Sequence, residues 1–495
     1  MTFISFPYVL FLLSLVVIYW LLDQPRSRLW VLLVASLIFY ASFQVYYIPL
    51  LLIATWINFC LGQALSIPPD WRSDDWQFTQ QDWNRKRLKL LWLGIGLNVL
   101  LLFGFKYIPF TLNTIAAVFG WTAAKEVAQW TSSHLIAPIG ISFFCFECIA
   151  YLVDVYRGAP ASQQWLKFSV YKLFFAKLLS GPITRYHIMT GQMQQTRPTL
   201  DRSAEGLWLI ACGAVKKGLL ADNIGILVDL SFQNLQRAGS GDLWLATIAY
   251  GLQLYLDFSG YVDMARGSAI LLGFNLPQNF DFPYLTTSIA DFWRRWHMTL
   301  GDWLRNYLYF PLGGSRQGLF RTCLNLMIVM AIAGIWHGAA WGFVVWGLLH
   351  GLGLVIHRLT DTLSNRITWL KYFWRQPYGL VVAWLLTQAM VMVCWIFFRL
   401  PNLKDSGIVI QRLWGHAADA QFTQKVYVEA IGLQPVQISL LLAAIVALMA
   451  IAYFCDRALK LQLNWNVKLM LVPVCFFAVW LLAPPGALPY IYFDF

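Results

Sequence analysis

Between Thr322 and Ile356 the chain runs for 35 residues without a Lys, Arg, Asp or Glu. A hydrocarbon core about 30 Å thick needs about 20 residues of helix to cross it, and shorter apolar runs of the same kind recur throughout the sequence. Candidate spans are 3–22, 29–45, 47–65, 88–118, 134–154, 166–183, 204–230, 243–273, 322–356 in two pieces, 378–400, 436–455 and 466–484. The runs are continuous rather than alternating, so helices and not a barrel are the spanning option. Only 12% of residues are charged, half the roughly 25% usual in soluble domains. The expected fold is an all-α polytopic transmembrane bundle of about eleven or twelve spans. It reads as one integral-membrane domain over 1–495, with its motif-bearing core at 134–357.

The net charge of +12 needs no nucleic-acid partner to explain it. Basic residues gather in linkers: Arg72, Arg85, Lys86, Arg87 and Lys89 in one, Arg358, Arg366, Lys371 and Arg375 in another. The positive-inside bias places both in the cytoplasm, with Arg26 and Arg28 there too and the N-terminus outside. The stretch from Phe3 to Leu22 lacks a basic leader and a small-residue cleavage site, and reads as a retained span. Cys145 and Cys148 form a C-x-x-C inside an apolar run, with no second pair for a metal, which points to structural thiols and no metal site.

Within the 322–356 run lies Gly334-Ile335-Trp336-His337-Gly338. An ionisable side chain amid so much apolar sequence marks a candidate functional site. A single helix of 35 residues would be about 52 Å long, too long for the bilayer core. A break at Gly334–Gly338 leaves a leg of about 20 Å from Arg321 and places His337 recessed in the membrane. Broken helices at that depth are tolerated where they line a protein-buried or water-filled cavity.

Residues 288–310 read as an amphipathic interfacial helix. Asp291, Arg294, Arg295, Asp302 and Arg305 form a polar stripe, with Trp293, Trp296, Leu300, Leu304 and Tyr307 opposite. His297 projects from the shoulder of the apolar face, toward the interior.

A polar recess with two histidines and no recognisable nucleophile motif suits general-base acyl transfer. A neutral imidazole accepts a proton from an acceptor hydroxyl as its oxygen attacks a thioester carbonyl, and imidazole is matched to neutral pH. His337 is the candidate base, and His297 the second polar group, orienting the acceptor or steadying the oxyanion. The other histidines, at 350, 357, 134, 187 and 416, sit at span ends or in linkers and read as structural. Asp263 and Arg266 are three apart and can pair. Asp257 needs a cation from another helix, for which Arg294 or Arg295 is the expected partner. Lys216 and Lys217 mark a cytoplasmic helix end or attract an anionic donor. Trp336, Trp293, Arg294, Arg295 and Asp257 complete the set of candidate donor- and substrate-binding residues. A transporter of polysaccharide or lipid-linked sugar, or a secretion-complex scaffold, is the alternative; the inverted repeats expected of a transporter are not evident.

An ordered set of motifs resembles the membrane-bound O-acyltransferase family, in particular its alginate O-acetyltransferase branch. The set comprises Pro138-Ile139-Gly140-Ile141-Ser142-Phe143-Phe144, Val153-Asp154-Val155-Tyr156-Arg157-Gly158 and Ser180-Gly181-Pro182-Ile183-Thr184-Arg185-Tyr186. It continues with Asp257-Phe258-Ser259-Gly260-Tyr261, Asp291-Phe292-Trp293-Arg294-Arg295-Trp296-His297, Gly334-Ile335-Trp336-His337-Gly338 and Tyr490-Ile491-Tyr492-Phe493. The resemblance implies that His337 is the family's essential histidine and His297 its upstream polar position. It implies a bacterial inner-membrane enzyme with cytoplasmic and outer funnels meeting at the histidine. It further implies acetyl-CoA or another acyl thioester as co-substrate rather than a bound cofactor, and a periplasmic acetyltransferase or exopolysaccharide machinery as partner.

Overall fold

A computed structural model describes residues 1–66, 76–193, 198–486 and 488–491, with 76–79 described by backbone alone. Every regular element among them is helical. Seven stretches are long and apolar enough to cross a membrane: Pro25–Ser66, Gln80–Lys106, Gly318–His337, Trp341–Ser364, Pro377–Arg399, Pro435–Arg457 and Trp465–Leu482. Phe6–Leu21 and Ile108–Phe119 are shorter apolar helices. Arg72, Tyr492 and Phe493 lie outside the described residues.

Several expected spans are interrupted. The 166–183 run is two short helices, Trp165–Leu173 and Phe175–Leu178, joined at Phe174 with ψ 116°. The 204–230 run is helical from Leu200, but passes through a wider π-helical stretch, Val215–Ala221, before Asp222–Gln233. Both interrupted stretches carry buried lysines, Lys172 and Lys177 in the first and Lys217 in the second. Irregular helix inside an apolar run is tolerated where the protein covers it.

The chain packs as two compact units, Met1–Ile210 with Asp263–Pro277, and Ala211–Val262 with Gln278–Phe495. In the first, a buried ionic cluster replaces what reads in sequence as plain apolar helix. Glu147 accepts from Lys177 Nζ at 2.5 Å and Lys172 Nζ at 3.2 Å, and from the Thr184 backbone N–H and hydroxyl at 2.9 and 3.0 Å. The Lys172 ammonium also donates to the Phe144 carbonyl at 2.9 Å. A buried carboxylate is stable only with such partners. Cys145 and Cys148, on the same helix (Ile141–Tyr156), are buried free thiols. Asp263 and Arg266 pair at 3.8 Å as expected.

In the second unit the predicted break of the 322–356 run is present, shifted a few residues. The helix Gly318–His337 continues through the glycine of the motif and ends on the histidine; Gly338 is extended, and a new helix begins at Trp341. The two legs pack against each other at a glycine crossing. A Cβ on Gly334 would strike the Phe343 carbonyl, and one on Gly347 the Met330 carbonyl. Small residues at both positions let the backbones touch, and that contact fixes where the first leg's last residue stands.

Candidate active site

His337 closes the Gly318–His337 helix with 3% of its surface exposed. Its ring is enclosed by aromatic edges: Trp336 at 4.9 Å, Trp346 at 4.9 Å and Phe398 at 5.1 Å between centroids. Trp346 comes from the second leg, Trp341–Ser364, and Phe398 from the end of Pro377–Arg399. Three helices therefore hold one imidazole. The helix break lies within a few residues of where the sequence reading placed it, and the histidine that ends the first leg is buried.

The continuous amphipathic helix expected over 288–310 is not what forms. Ile289–Arg295 is one short helix, capped by the Ser288 hydroxyl accepting from the Asp291 N–H at 3.1 Å. Met298–Leu304 is a second. Between them His297 takes a left-handed conformation, φ 43° and ψ 54°, which a non-glycine residue seldom adopts and which must be held by its surroundings. The brace is the segment 279–281. Asn279 offers its carbonyl to the Met298 N–H at 3.0 Å and its side-chain oxygen to the Thr299 N–H and hydroxyl at 3.0 and 2.7 Å. On the other side of the kink, the Asp281 N–H donates to the Arg295 carbonyl at 3.0 Å.

The kink turns His297 wholly inward, with no exposed surface. The sequence reading that it faces the interior holds, but through the left-handed turn and not through its angle on a helix. Burial pushes its imidazole from 6.5 down to about 3, so it stands uncharged at neutral pH. Its ring meets Phe258 at 4.9 Å and Trp336 at 6.1 Å. Trp336 thus separates the two histidines, touching His297 on one side and His337 on the other. The structure brings His337, His297 and Trp336 into one buried aromatic cluster.

The other candidates fall differently. The Trp293 indole donates to His350 Nδ1 at 3.3 Å, and the His350 ring lies 4.9 Å from Trp346. Trp293 is therefore a partner of His350, one ring removed from His337. His350 is not at a span end; it is fully buried within Trp341–Ser364. Sequence reading missed its place because spacing along one helix does not reveal which neighbour covers it. Arg294 is exposed, and Arg295 pairs with Asp291 at 3.2 Å. Neither reaches Asp257.

The cation of Asp257 is Lys217, at 2.6 Å, which also holds Asp222 at 2.8 Å. The expected arginine pairing and the reading of Lys217 as a cytoplasmic helix end are both corrected. An arginine on a short surface helix keeps its guanidinium in water, whereas Lys217 is 1% exposed and must find anions. A lysine in one apolar run and an unmatched aspartate in another are the signal that could have paired them. Among the described residues no group of His, Cys, Asp and Glu is arranged to hold a metal.

Residues 129–398 match the model of MBOAT, the membrane-bound O-acyltransferase family, a stretch that includes both histidines and Trp336. The chain is 37% identical to the probable alginate O-acetylase AlgI of Pseudomonas putida, over 82% of this chain and 78% of that one. It is 35% identical to the peptidoglycan O-acetyltransferase of Helicobacter pylori, over 78% and 74%. A teichoic acid D-alanyltransferase of Streptococcus thermophilus matches at 30% identity over 46% and 58%. A chain of many membrane-length helices, matched over most of its length by such relatives, belongs to the membrane-bound O-acyltransferase family.

Proposed function

We propose that this O-acyltransferase moves an acetyl group from a cytoplasmic thioester, acetyl-CoA, through the inner membrane to an exported polysaccharide or to a periplasmic acetyltransferase that serves one. The single observation that carries the reading is the buried cluster in which Trp336 stands between His337 and His297. The names of the relatives, an alginate O-acetylase and a peptidoglycan O-acetyltransferase, favour acetyl and a polysaccharide over other acyl groups and acceptors.

In this reading His337 is the general base. It takes the proton of the acceptor hydroxyl as that oxygen bonds to the thioester carbonyl carbon. Collapse of the tetrahedral intermediate breaks the carbon–sulfur bond, and the proton passes from the imidazolium to the leaving thiolate. No acyl-enzyme is needed. His297, held uncharged by burial, contributes hydrogen bonding without bringing a competing positive charge beside the base, and orients the acceptor or steadies the oxyanion. The aromatic walls supply the low-dielectric surroundings in which such dipoles act strongly. Trp293, Arg295 and Asp257 take supporting places around this centre rather than direct ones, since their contacts are with His350, Asp291 and Lys217, and Arg294 is exposed.

Proteoliposomes loaded with a soluble polysaccharide acceptor, with acetyl-labelled acetyl-CoA outside, test the reading. Label is expected on the sugar inside, with free CoA accumulating outside. Sugar crossing without acetylation would instead show a transporter.

A further inference from the structure

The second unit contains a buried charged cluster that the acyl-transfer chemistry does not use. Lys217, Asp222 and Asp257 are 1%, 2% and 1% exposed. The Lys217 ammonium spends its three N–H donors on Asp222 Oδ1 at 2.8 Å, Asp257 Oδ1 at 2.6 Å and the Pro489 carbonyl at 3.1 Å. Two carboxylates against one ammonium leave an excess negative charge, which a buried site tolerates only with further donors. The chain segment Leu488–Ile491 provides them. The Ile491 N–H donates to Asp257 Oδ2 at 3.1 Å, and the Leu488 N–H donates to Asp222. Triad and segment are thus tied together by hydrogen bonds at the ammonium and at both carboxylates.

The same stretch of helix leads to the site. Asp257 is followed by Phe258, whose ring meets His297 at 4.9 Å. One turn on, Tyr261 meets Tyr490 at 5.0 Å, and the Lys217 ammonium lies 4.9 Å from the Tyr490 ring centre. Gly260 lets this helix close on the lysine's own backbone: a Cβ there would come within 2.8 Å of the Gly213 carbonyl and 3.1 Å of the Lys217 N–H nitrogen. Displacing Leu488–Ile491 would remove a donor from Asp257, immediately beside the residue that packs on His297.

We infer that Lys217 is a positioning residue whose buried triad latches Leu488–Ile491 against the helix that presents Phe258 to His297 and so fixes the acyl-transfer geometry. The inference rests on the O-acyltransferase reading above. Lys217→Met removes the latch's cation. Ile491→Pro removes one N–H donor while leaving all three charged groups in place, and carries the test alone if the first variant does not fold. Hydrogen exchange at the Leu488 amide in detergent, and acetyl transfer kinetics on the same samples, are the two readouts. Both variants are expected to exchange that amide faster than the wild type. Both are expected to lose about a hundredfold in kcat with KM for acetyl-CoA unchanged, the scale of a misplacement of about 1 Å.

An amide that stays slow in both variants overturns the latch. A fast amide with wild-type kcat overturns the positioning role. A wild-type protein that protects the amide yet transfers no acyl group overturns the enzymatic reading, and the positioning role with it, while the latch stands.

Discussion

Replacing His337 by Gln isolates the proposed base from the packing it shares. The imidazole is 3% exposed and walled by Trp336, Trp346 and Phe398, so cutting it to Ala opens a void among three large rings. Truncating a buried aromatic side chain costs about 3–5 kcal/mol of stability, enough to confuse lost fold with lost chemistry. Gln retains much of the volume and a polar end but cannot act as a base. A general base contributes about 10²- to 10⁴-fold in rate, which at about 1.36 kcal/mol per tenfold is a barrier rise of about 2.7–5.4 kcal/mol. The variant should elute as a folded monodisperse species, still bind donor, and transfer labelled acetyl about 10² to 10⁴ times more slowly in a single turnover. A folded His337→Gln protein within about tenfold of the wild-type rate is incompatible with base catalysis at this position.

Four further outcomes follow from the same structure. His297 is buried with its imidazole lowered from 6.5 to about 3, so between those values the unfolded chain binds the extra proton and the folded one does not. That contribution to stability is therefore complete above pH 6.5 and is lost progressively as pH falls toward 3; His297→Asn should flatten the acid limb of a thermal-stability profile, and an unchanged limb would contradict a buried neutral ring. Glu147→Gln leaves the ammonium groups of Lys172 and Lys177 buried without their carboxylate. It should destabilise by about 3–5 kcal/mol, read as a fall in thermal midpoint, with partial recovery in Glu147→Gln/Lys177→Met. Gly334→Val drives a side chain into the Phe343 carbonyl and should cost at least about 1–3 kcal/mol, together with activity, because the crossing sets the position of His337; an active, equally stable variant would show that the crossing is not needed. Finally, acetyl-CoA affinity should weaken as salt rises, since exposed basic groups are screened within about 8–10 Å; a titration flat in salt would remove the basic surface from donor binding.

The parts of the site that were legible in sequence share one property: their meaning is local. His337 stands out because a single imidazole interrupts a long uncharged run, and the need to break that run follows from bilayer thickness alone. The Asp263–Arg266 pair is legible because three-residue spacing is enough to bring two side chains together. Residues 288–310 failed as a continuous helix because their pattern of polar and apolar positions fits both a straight helix and two short ones. The choice was made by Asn279, whose carbonyl and side-chain oxygen hold Met298 and Thr299 from a loop that periodicity does not connect to them.

Patterning along the chain is enough to specify an all-helical membrane protein with an ionisable ring where an apolar run must break, and the motifs run in the order of one acyltransferase family. Those properties depend on hydrophobicity, length and spacing, which are written along the chain. Packing in three dimensions sets Trp336 between His337 and His297, gives His350 to Trp293, and pairs Asp257 with Lys217 rather than with an arginine. Each of these pairings brings together residues from different helices or loops. A buried charge or ring takes whichever partner the packed backbones carry to it, and distance along the chain does not encode that choice.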